Sequence, residues 1–425
     1  MNLELVLICF NQKGTYKVLI SGIVGKPNVG KSTFFNSATL MNVAVANYPF
    51  TTINANVGTG YIRVKCVHME LGVKDNPVNS ACIGGTRLIP VKMVDVAGLV
   101  PDASKGRGLG NKFLDDVRQA DALIHVVDSS GSTDEEGRAV PAGTHDPLVD
   151  VEFVKKEMVL WVKGLIEKDW ARLCRTVESG AAGSPSLVSE LTQKLSGLSI
   201  RENSIETAVH KAGLKADKPT SWDAEDLYSF SKELLDISKP MLIAANKCDQ
   251  APSKELISKL VKELAPAYPV VPCAAEAELL LRRASHAGLI SYVPGDSSFQ
   301  ISDLSKITAA QKRALELVKS EVLDPWKGTG VQKAINDAYL SLLKGIVVYP
   351  VEDETKFSDK KGNVLPDARI MHLGDTAKDL AYSVHTDLGD SFLYAIDSRT
   401  GLRVGADYKL KNNDVLKIVA TARKG

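Results

Sequence analysis

The chain has 425 residues, enough for two or three domains that each bury a core. Its 52 Lys and Arg nearly balance 51 Asp and Glu, so no global cationic field advertises nucleic acid. No apolar run approaches the ~18 residues of a membrane span, and the six cysteines (Cys9, Cys66, Cys82, Cys174, Cys248, Cys273) lack C-x-x-C spacing. They read as reduced cytosolic thiols rather than as a disulfide framework or a zinc site. Residues 1–15 contain an apolar stretch without a basic start or a small-residue cleavage site, and are taken as an extra strand or an early start without assigned function.

Residues 18–24 form an apolar run that reads as a buried strand, and Gly25-Lys26-Pro27-Asn28-Val29-Gly30-Lys31-Ser32 follows with the spacing G-x-x-x-x-G-K-S. A helix is expected from Thr33 to Leu40. Strand, glycine loop and helix start are the context in which backbone N–H groups cradle a polyphosphate. Pro27, Asn28, Val29, Gly30, Lys31, Ser32 and Thr33 are the candidate phosphate-binding residues, with Lys31 reaching the outer phosphates and the Ser32 hydroxyl ligating Mg²⁺. Residues 91–95 then read as a short strand that ends in Asp95, placed to hold a Mg²⁺-bound water. Gly98 completes D-x-x-G, and its N–H can approach a γ-phosphate.

Leu99 stands where many GTPases place a water-orienting glutamine, and leucine has neither donor nor acceptor. Asn28 offers two readings: an oxygen ligand for K⁺ near the β/γ bridge, or a residue that tolerates an unusual loop dihedral. Residues 129–150 are polar and rich in Gly, Thr and Asp, a long loop. Val154, Met158, Trp161 and Leu165 recur at helical spacing, which predicts a helical insertion over 151–236 interrupted near 178–184. Trp161 and Trp170 suit either a helix core or a partner surface.

The sheet resumes at Lys239, and Asn246-Lys247-Cys248-Asp249 follows an apolar run. The Asp249 carboxylate can accept the N1–H and 2-amino hydrogens of guanine, which adenine does not offer, and such a site discriminates by roughly 10⁴-fold. Lys247 can lie across the base, and Asn246 can tie this loop to the phosphate loop. Ala274, after the strand at 269–271, sits where a backbone N–H can meet the guanine oxygen. Helices are expected over 274–287, 306–322 and 331–344. The sequence thus implies an α/β P-loop GTPase fold with a mostly parallel sheet. Its guanine nucleotide-binding domain is discontinuous, over 1–150 and 237–344.

A different module begins at Gly345, with strands at 345–351, 368–372, 392–396 and 415–419 and a helix from Asp375. His385 suits a helix cap. The set Lys356, Lys360, Lys361, Lys409, Lys411, Lys417, Arg423 and Lys424 fits either phosphate contacts or a solvated face. The runs Asp375–Ala381 and Asp414–Ile418 resemble a TGS domain, a ubiquitin-like β-grasp module over 345–425 often linked to RNA.

The phosphate loop, Asn47-Tyr48-Pro49-Phe50-Thr51-Thr52, Asp95-Val96-Ala97-Gly98-Leu99-Val100, residues 106–114, Arg118-Gln119-Ala120-Asp121 and Val126-Val127-Asp128 resemble an Obg-like, YchF-related GTPase of the translation-factor class, in its archaeal-type branch. The resemblance implies that Thr52, rather than its neighbour Thr51, is the switch threonine that joins Ser32 on Mg²⁺. It implies catalysis around Lys31, Thr52, Gly98 and Asn28, with K⁺ in place of an arginine finger. YchF proper usually lacks N-K-x-D and is linked to ATP; this chain keeps that motif, which favours GTP. The expectation is a cytoplasmic monomer that hydrolyses GTP as a switch linked to the ribosome or RNA, with no membrane or DNA partner. A nucleotide-stabilised RNA or ribosome adaptor with little hydrolysis is the alternative.

Overall fold

A computed structural model of the chain describes residues 16–40, 56–99, 110–179, 185–198 and 200–421. Residues 1–15, Thr51, Thr52, Arg423 and Lys424 lie outside the described residues.

The first sheet is built from β1 (Ile20–Val24), β2 (Val57–Lys65), β3 (Ala81–Ile83), β4 (Thr86–Asp95), β5 (Ala122–Asp128), β6 (Met241–Asn246) and β7 (Val270–Pro272). Its order is β2-β4-β1-β5-β6-β7, with β3 also on β4. The strands from β4 to β7 run parallel, and β2 and β3 add an antiparallel edge. β5 and β6 are buried along their whole length, as central parallel strands covered on both faces must be. Alternation sorts their side chains: Leu123, Val127, Ile243 and Ala245 face one core, and Ile124, Val126, Leu242 and Ala244 face the other.

On one face lie α1 (Lys31–Thr39), the one-turn α2 (His68–Leu71) at the end of β2, and later helices. The other face takes α3 (Gly110–Gln119) and the inserted helices α4 (Pro147–Glu167), α5 (Trp170–Glu178), α6 (Leu187–Lys194), α7 (Glu202–Lys211) and α8 (Ala224–Ser238). Asp146 caps α4 by accepting from the Leu148 N–H at 3.1 Å, and Pro147 fits the first turn, where its missing donor has no consequence. Val154, Met158 and Trp161 are buried in the same apolar cluster as Val24 and Val94, so the insertion shares its core with the sheet. Trp170 and Trp222 have ring centroids 5.3 Å apart and Trp222 lies 5.4 Å from Phe230, so these aromatics are internal packing.

After β6 come α9 (Ser253–Leu264), β7, α10 (Ala275–His286), a small hairpin of β8 (Ile290–Ser291) and β9 (Gln300–Ile301), α11 (Ala309–Val318), α12 (Asp324–Trp326) and α13 (Val331–Asn336). α11 runs through a π-helical turn at Lys319–Leu323, and α13 through another at Asp337–Leu342. The second π turn places Tyr339 under the sheet, where it accepts from the Ser21 N–H at 3.0 Å and donates to the Lys92 carbonyl.

The last module comprises β10 (Gly345–Val351), β11 (Arg369–His372), α14 (Ala377–Val384), α15 (Thr386–Asp390), β12 (Phe392–Asp397), β13 (Arg403–Val404) and β14 (Asp414–Ala420). The strand order is β11-β10-β14-β12-β13, with β10 parallel to β14. Thr376 and Asp379 form a capping box on α14, and His385 caps α15 by accepting from the Asp387 N–H at 3.2 Å. The short β3, β8, β9 and β13 and the two π turns were not anticipated, since two or three residues carry no period.

Candidate functional site

Every sequence-predicted element of the site among the described residues sits at the carboxyl ends of β1, β4, β6 and β7, where an open α/β sheet receives ligands. Gly25 has φ 148°, and a Cβ there would lie 2.4 Å from the Val126 carbonyl oxygen. Gly30 has φ 96°, and its Cβ would lie 2.3 Å from Asn246 Nδ2. Both glycines therefore answer a steric requirement as well as a conformational one.

Asn246 closes the arrangement. Its Nδ2 donates to the Val29 carbonyl at 2.9 Å, and its Oδ1 accepts from the Ala275 N–H at 3.0 Å. One buried side chain at the end of β6 thus bonds to the phosphate loop and also to the start of the segment after β7, a second contact that was not expected of it. Lys247 follows with φ 64°, and Asp249 is exposed at the turn. The turn is held from below: the Cys248 N–H donates to the Cys273 carbonyl at 3.0 Å, and the Cys248 carbonyl accepts from Ser253 Oγ at 2.7 Å and Trp326 Nε1 at 3.1 Å.

Lys247 carries a role that its motif did not reveal. Its ammonium lies 2.8 Å from Asp128 at the end of β5, which also accepts from Ser130 Oγ at 2.5 Å, Ser132 Oγ at 2.8 Å and Thr133 Oγ1 at 3.0 Å. Burial pushes the Asp128 carboxyl up, but Lys247 and the serine hydroxyls outweigh it and hold it below the usual range. Ala274 departs from expectation. Its N–H donates to the Thr329 carbonyl at 2.9 Å, and the neighbouring Cys273 and Ala275 donate to Ala245 and Asn246. The segment at 329, invisible to motif reasoning, competes for the donor assigned to the guanine oxygen.

Around the phosphate loop, Lys31 Nζ donates to the Lys26 carbonyl at 2.7 Å. Burial lowers its pKa to about 8, with Asp95 partly offsetting. Ser32 Oγ donates to Asp95 Oδ2 at 3.3 Å, while Asp95 Oδ1 is buried without a partner among the described residues. Burial raises the Asp95 carboxyl, with Lys31 opposing. A hydroxyl beside a carboxylate with an unpaired buried oxygen is the donor set a hydrated Mg²⁺ takes, so these residues fit that ion. A Cβ on Gly98 would lie 3.2 Å from Lys31 Nζ and 3.3 Å from Pro27 Cγ, which shows how closely the D-x-x-G backbone approaches the loop. The Leu99 N–H donates to the Gly25 carbonyl at 3.2 Å, and its side chain is 1% exposed in the core. Thr33 is half-buried in the first turn of α1.

The loop at 129–146 straps this region. Lys26, fully buried, pairs with Asp150 of α4 at 2.8 Å and donates to the Thr133 carbonyl at 2.8 Å, and His145 lies 2.8 Å from Asp150. Asn28, with φ 63°, donates from Nδ2 to the Gly137 carbonyl at 3.0 Å. The left-handed dihedral is one of the two readings of Asn28; the amide contact with Gly137 was not foreseen. No motif singles out His145 or Asp150, Lys26 is an unspecified position of the phosphate loop, and Asp128 ends Val126-Val127-Asp128 of the family resemblance without a role attached to it. The only signal was the density of Asp, Ser and Thr after β5.

Phosphate loop, D-x-x-G turn and base-reading loop on this sheet define a P-loop GTPase carrying helices between β5 and β6 and a β-grasp module at its end. Three family models match: "50S ribosome-binding GTPase" over residues 20–154, "Obg-like GTPase YGR210-like, G4 motif-containing domain" over 244–353, and "TGS domain" over 361–420. A GTP-binding protein of Methanocaldococcus jannaschii is 51% identical over 402 residues, 95% of this chain and 99% of its own length. One of Schizosaccharomyces pombe is 34% identical over 86% of this chain and 90% of its own. The crystal structure of a GTP-binding protein from Pyrococcus horikoshii is 43% identical, with a TM-score of 0.74 over 95% of this chain and all of that one. The chain belongs to the YchF/Obg-like GTPase family.

Proposed function

We propose that this protein binds guanine nucleotides in preference to adenine nucleotides and hydrolyses GTP as a switch. The observation that carries the reading is Asn246, which bonds to Val29 at 2.9 Å and so fixes the exposed Asp249 relative to the phosphate loop. Guanine presents Asp249 with two donors and adenine with none. Relatives named ribosome-binding ATPase YchF, such as that of Haemophilus ducreyi (42% identical over 161 residues), align with 37% of this chain.

Ser32 and Asp95 would hold Mg²⁺, joined by Thr52 in the triphosphate state, and the ion would neutralise phosphate charge. K⁺ at the Asn28 oxygen would supply charge at the β/γ bridge. The chain's own part is to orient the phosphates by loop N–H groups and Lys31, and to bring the Gly98 backbone against them. Leu99, buried in the core, cannot align water, which favours slow basal turnover accelerated by a partner. The TGS module and the ribosome-binding names among relatives support a ribosomal or RNA partner in the cytoplasm. The adaptor reading, little hydrolysis with nucleotide-independent RNA binding, rests on the same leucine.

Titration calorimetry with GTP, GDP and ATP tests the nucleotide choice; ATP within tenfold of GTP would overturn it. Ribosome or RNA affinity equal in the GTP and GDP states would replace the switch by the adaptor.

A further inference from the structure

Outside the nucleotide site, Cys66, His68, Asp75 and Cys82 bring one ligand atom each to within 4.8 Å of one another. Cys66 Sγ lies 3.3 Å from Asp75 Oδ2, His68 Nδ1 lies 3.2 Å from the same oxygen, and Cys82 Sγ lies 3.6 Å from His68 Nδ1. Bonds of about 2.0–2.3 Å to a tetrahedral Zn²⁺ place neighbouring donors roughly 3.3–3.8 Å apart, so these edges need little adjustment. Two thiols and an imidazole are soft and borderline donors, which select zinc over magnesium or calcium. We propose that Cys66, His68, Asp75 and Cys82 form a closed structural Zn²⁺ site.

Topology explains how residues without a C-x-x-C pair converge. Cys66 follows β2, His68 opens the single turn α2, Asp75 lies in the loop beyond, and Cys82 stands in β3. Arg87, paired with Cys82 across the β3–β4 register and fully buried, lies 3.1 Å from Asp75 and 3.9 Å from Cys66 Sγ. With two thiolates, one carboxylate, a neutral imidazole, Zn²⁺ and this guanidinium, the unit is neutral. Loading forms two Zn–S bonds and releases both thiol protons to solvent.

The position gives the site a role. Arg87 Nη2 also donates to the Leu365 carbonyl at 2.6 Å. In the ligand-bearing loop, the Asn76 N–H donates to Val364 at 2.9 Å and the Val78 N–H to Pro366 at 2.8 Å, while Glu70 pairs with Arg399 at 3.0 Å. The loop is thus the bracket on which the TGS module rests, and the metal would lock its three chain segments together.

The untagged full chain, purified without chelator from zinc-supplemented cells, should carry about one zinc by plasma mass spectrometry, falling below roughly 0.1 in Cys82→Ser and staying near one in Cys174→Ser. Cobalt added to the zinc-stripped wild-type chain should give the intense visible bands of a tetrahedral site and near-ultraviolet thiolate charge transfer, a readout that needs no variant. Wild-type protein with neither zinc nor cobalt bands would overturn the site. Chelation should raise deuterium uptake at 75–79 and 363–366; unchanged uptake after zinc loss would overturn the bracket role. Neither outcome touches the nucleotide reading, which calorimetry tests separately.

Discussion

Two lysines of the phosphate loop have opposite commitments. Lys26 is locked to Asp150, whose carboxyl is raised by burial and drawn back down by Lys26 and His145. Removing one partner of such a buried pair leaves the other uncompensated, so Lys26→Met should destabilise the fold by about 3–5 kcal/mol in urea titrations, and adding Asp150→Asn should recover part of it. Lys31 donates to the Lys26 carbonyl, and its pKa is lowered to about 8 from 10.5. The unfolded chain binds the extra proton between those values, so this group makes stability rise with pH over that window. Nucleotide binding has the opposite sign. Phosphate favours the charged ammonium, so affinity should fall as pH rises past 8, with proton uptake in calorimetry and loss of the effect in Lys31→Met. At the base reader, Asp249→Asn should weaken GTP by about 10²-fold or more and turn preference toward xanthine nucleotides, whose 2-oxo group needs a donor. GTP affinity unchanged by that substitution would remove Asp249 from the site.

Among elements, α10 buttresses α1 through one side chain. Arg282 accepts nothing and donates to Glu278 at 2.5 Å, to the Ala38 carbonyl at 3.2 Å and to the Leu40 carbonyl at 3.0 Å, closing the end of α1. Arg282→Ala should lower stability by about 3–5 kcal/mol because Glu278 is left buried, and Arg282→Lys should not rescue it, since one ammonium cannot span Glu278, Ala38, Leu40 and Gln332 as the fixed fork does. Matching thermal midpoints for the lysine variant and wild type would refute that geometry. Legibility followed the same divide between local and distant. Gly25–Ser32, Asp95–Gly98 and Asn246–Asp249 could be read because each motif lies on a few consecutive residues between a strand and a turn. Lys26–Asp150, Lys247–Asp128 and Ala274–Thr329 could not, because each joins residues whose proximity depends on the whole sheet. The described cysteines are free thiols, as read from the sequence, but the clustering of two of them was hidden for the same reason. Cys66 and Cys82 are sixteen positions apart and meet only when β3 folds back on β4.

At the scale of the molecule, one apolar cluster crosses the boundary at 344: Val347, Tyr349, Val351, Leu365 and Ile370 pack with Leu19, Ile62 and Ile89. Ending the chain at Lys344 should therefore expose that face, lowering the thermal midpoint and driving association in sedimentation, whereas a separable module would leave both unchanged. The full chain should unfold in calorimetry as one cooperative unit across this boundary. The latch between Asn246 and Val29 spans 217 positions, with the whole helical insertion between its ends. A ribosome adding about 5–20 residues each second needs roughly 10–40 s to deliver the second half of that latch after the first. For that interval the nascent chain owns a phosphate loop but no base reader, and β1, β4 and β5 must wait with an uncovered edge for β6. Nucleotide therefore cannot template the early steps of folding; it arrives as the ligand of a chain already more than half made.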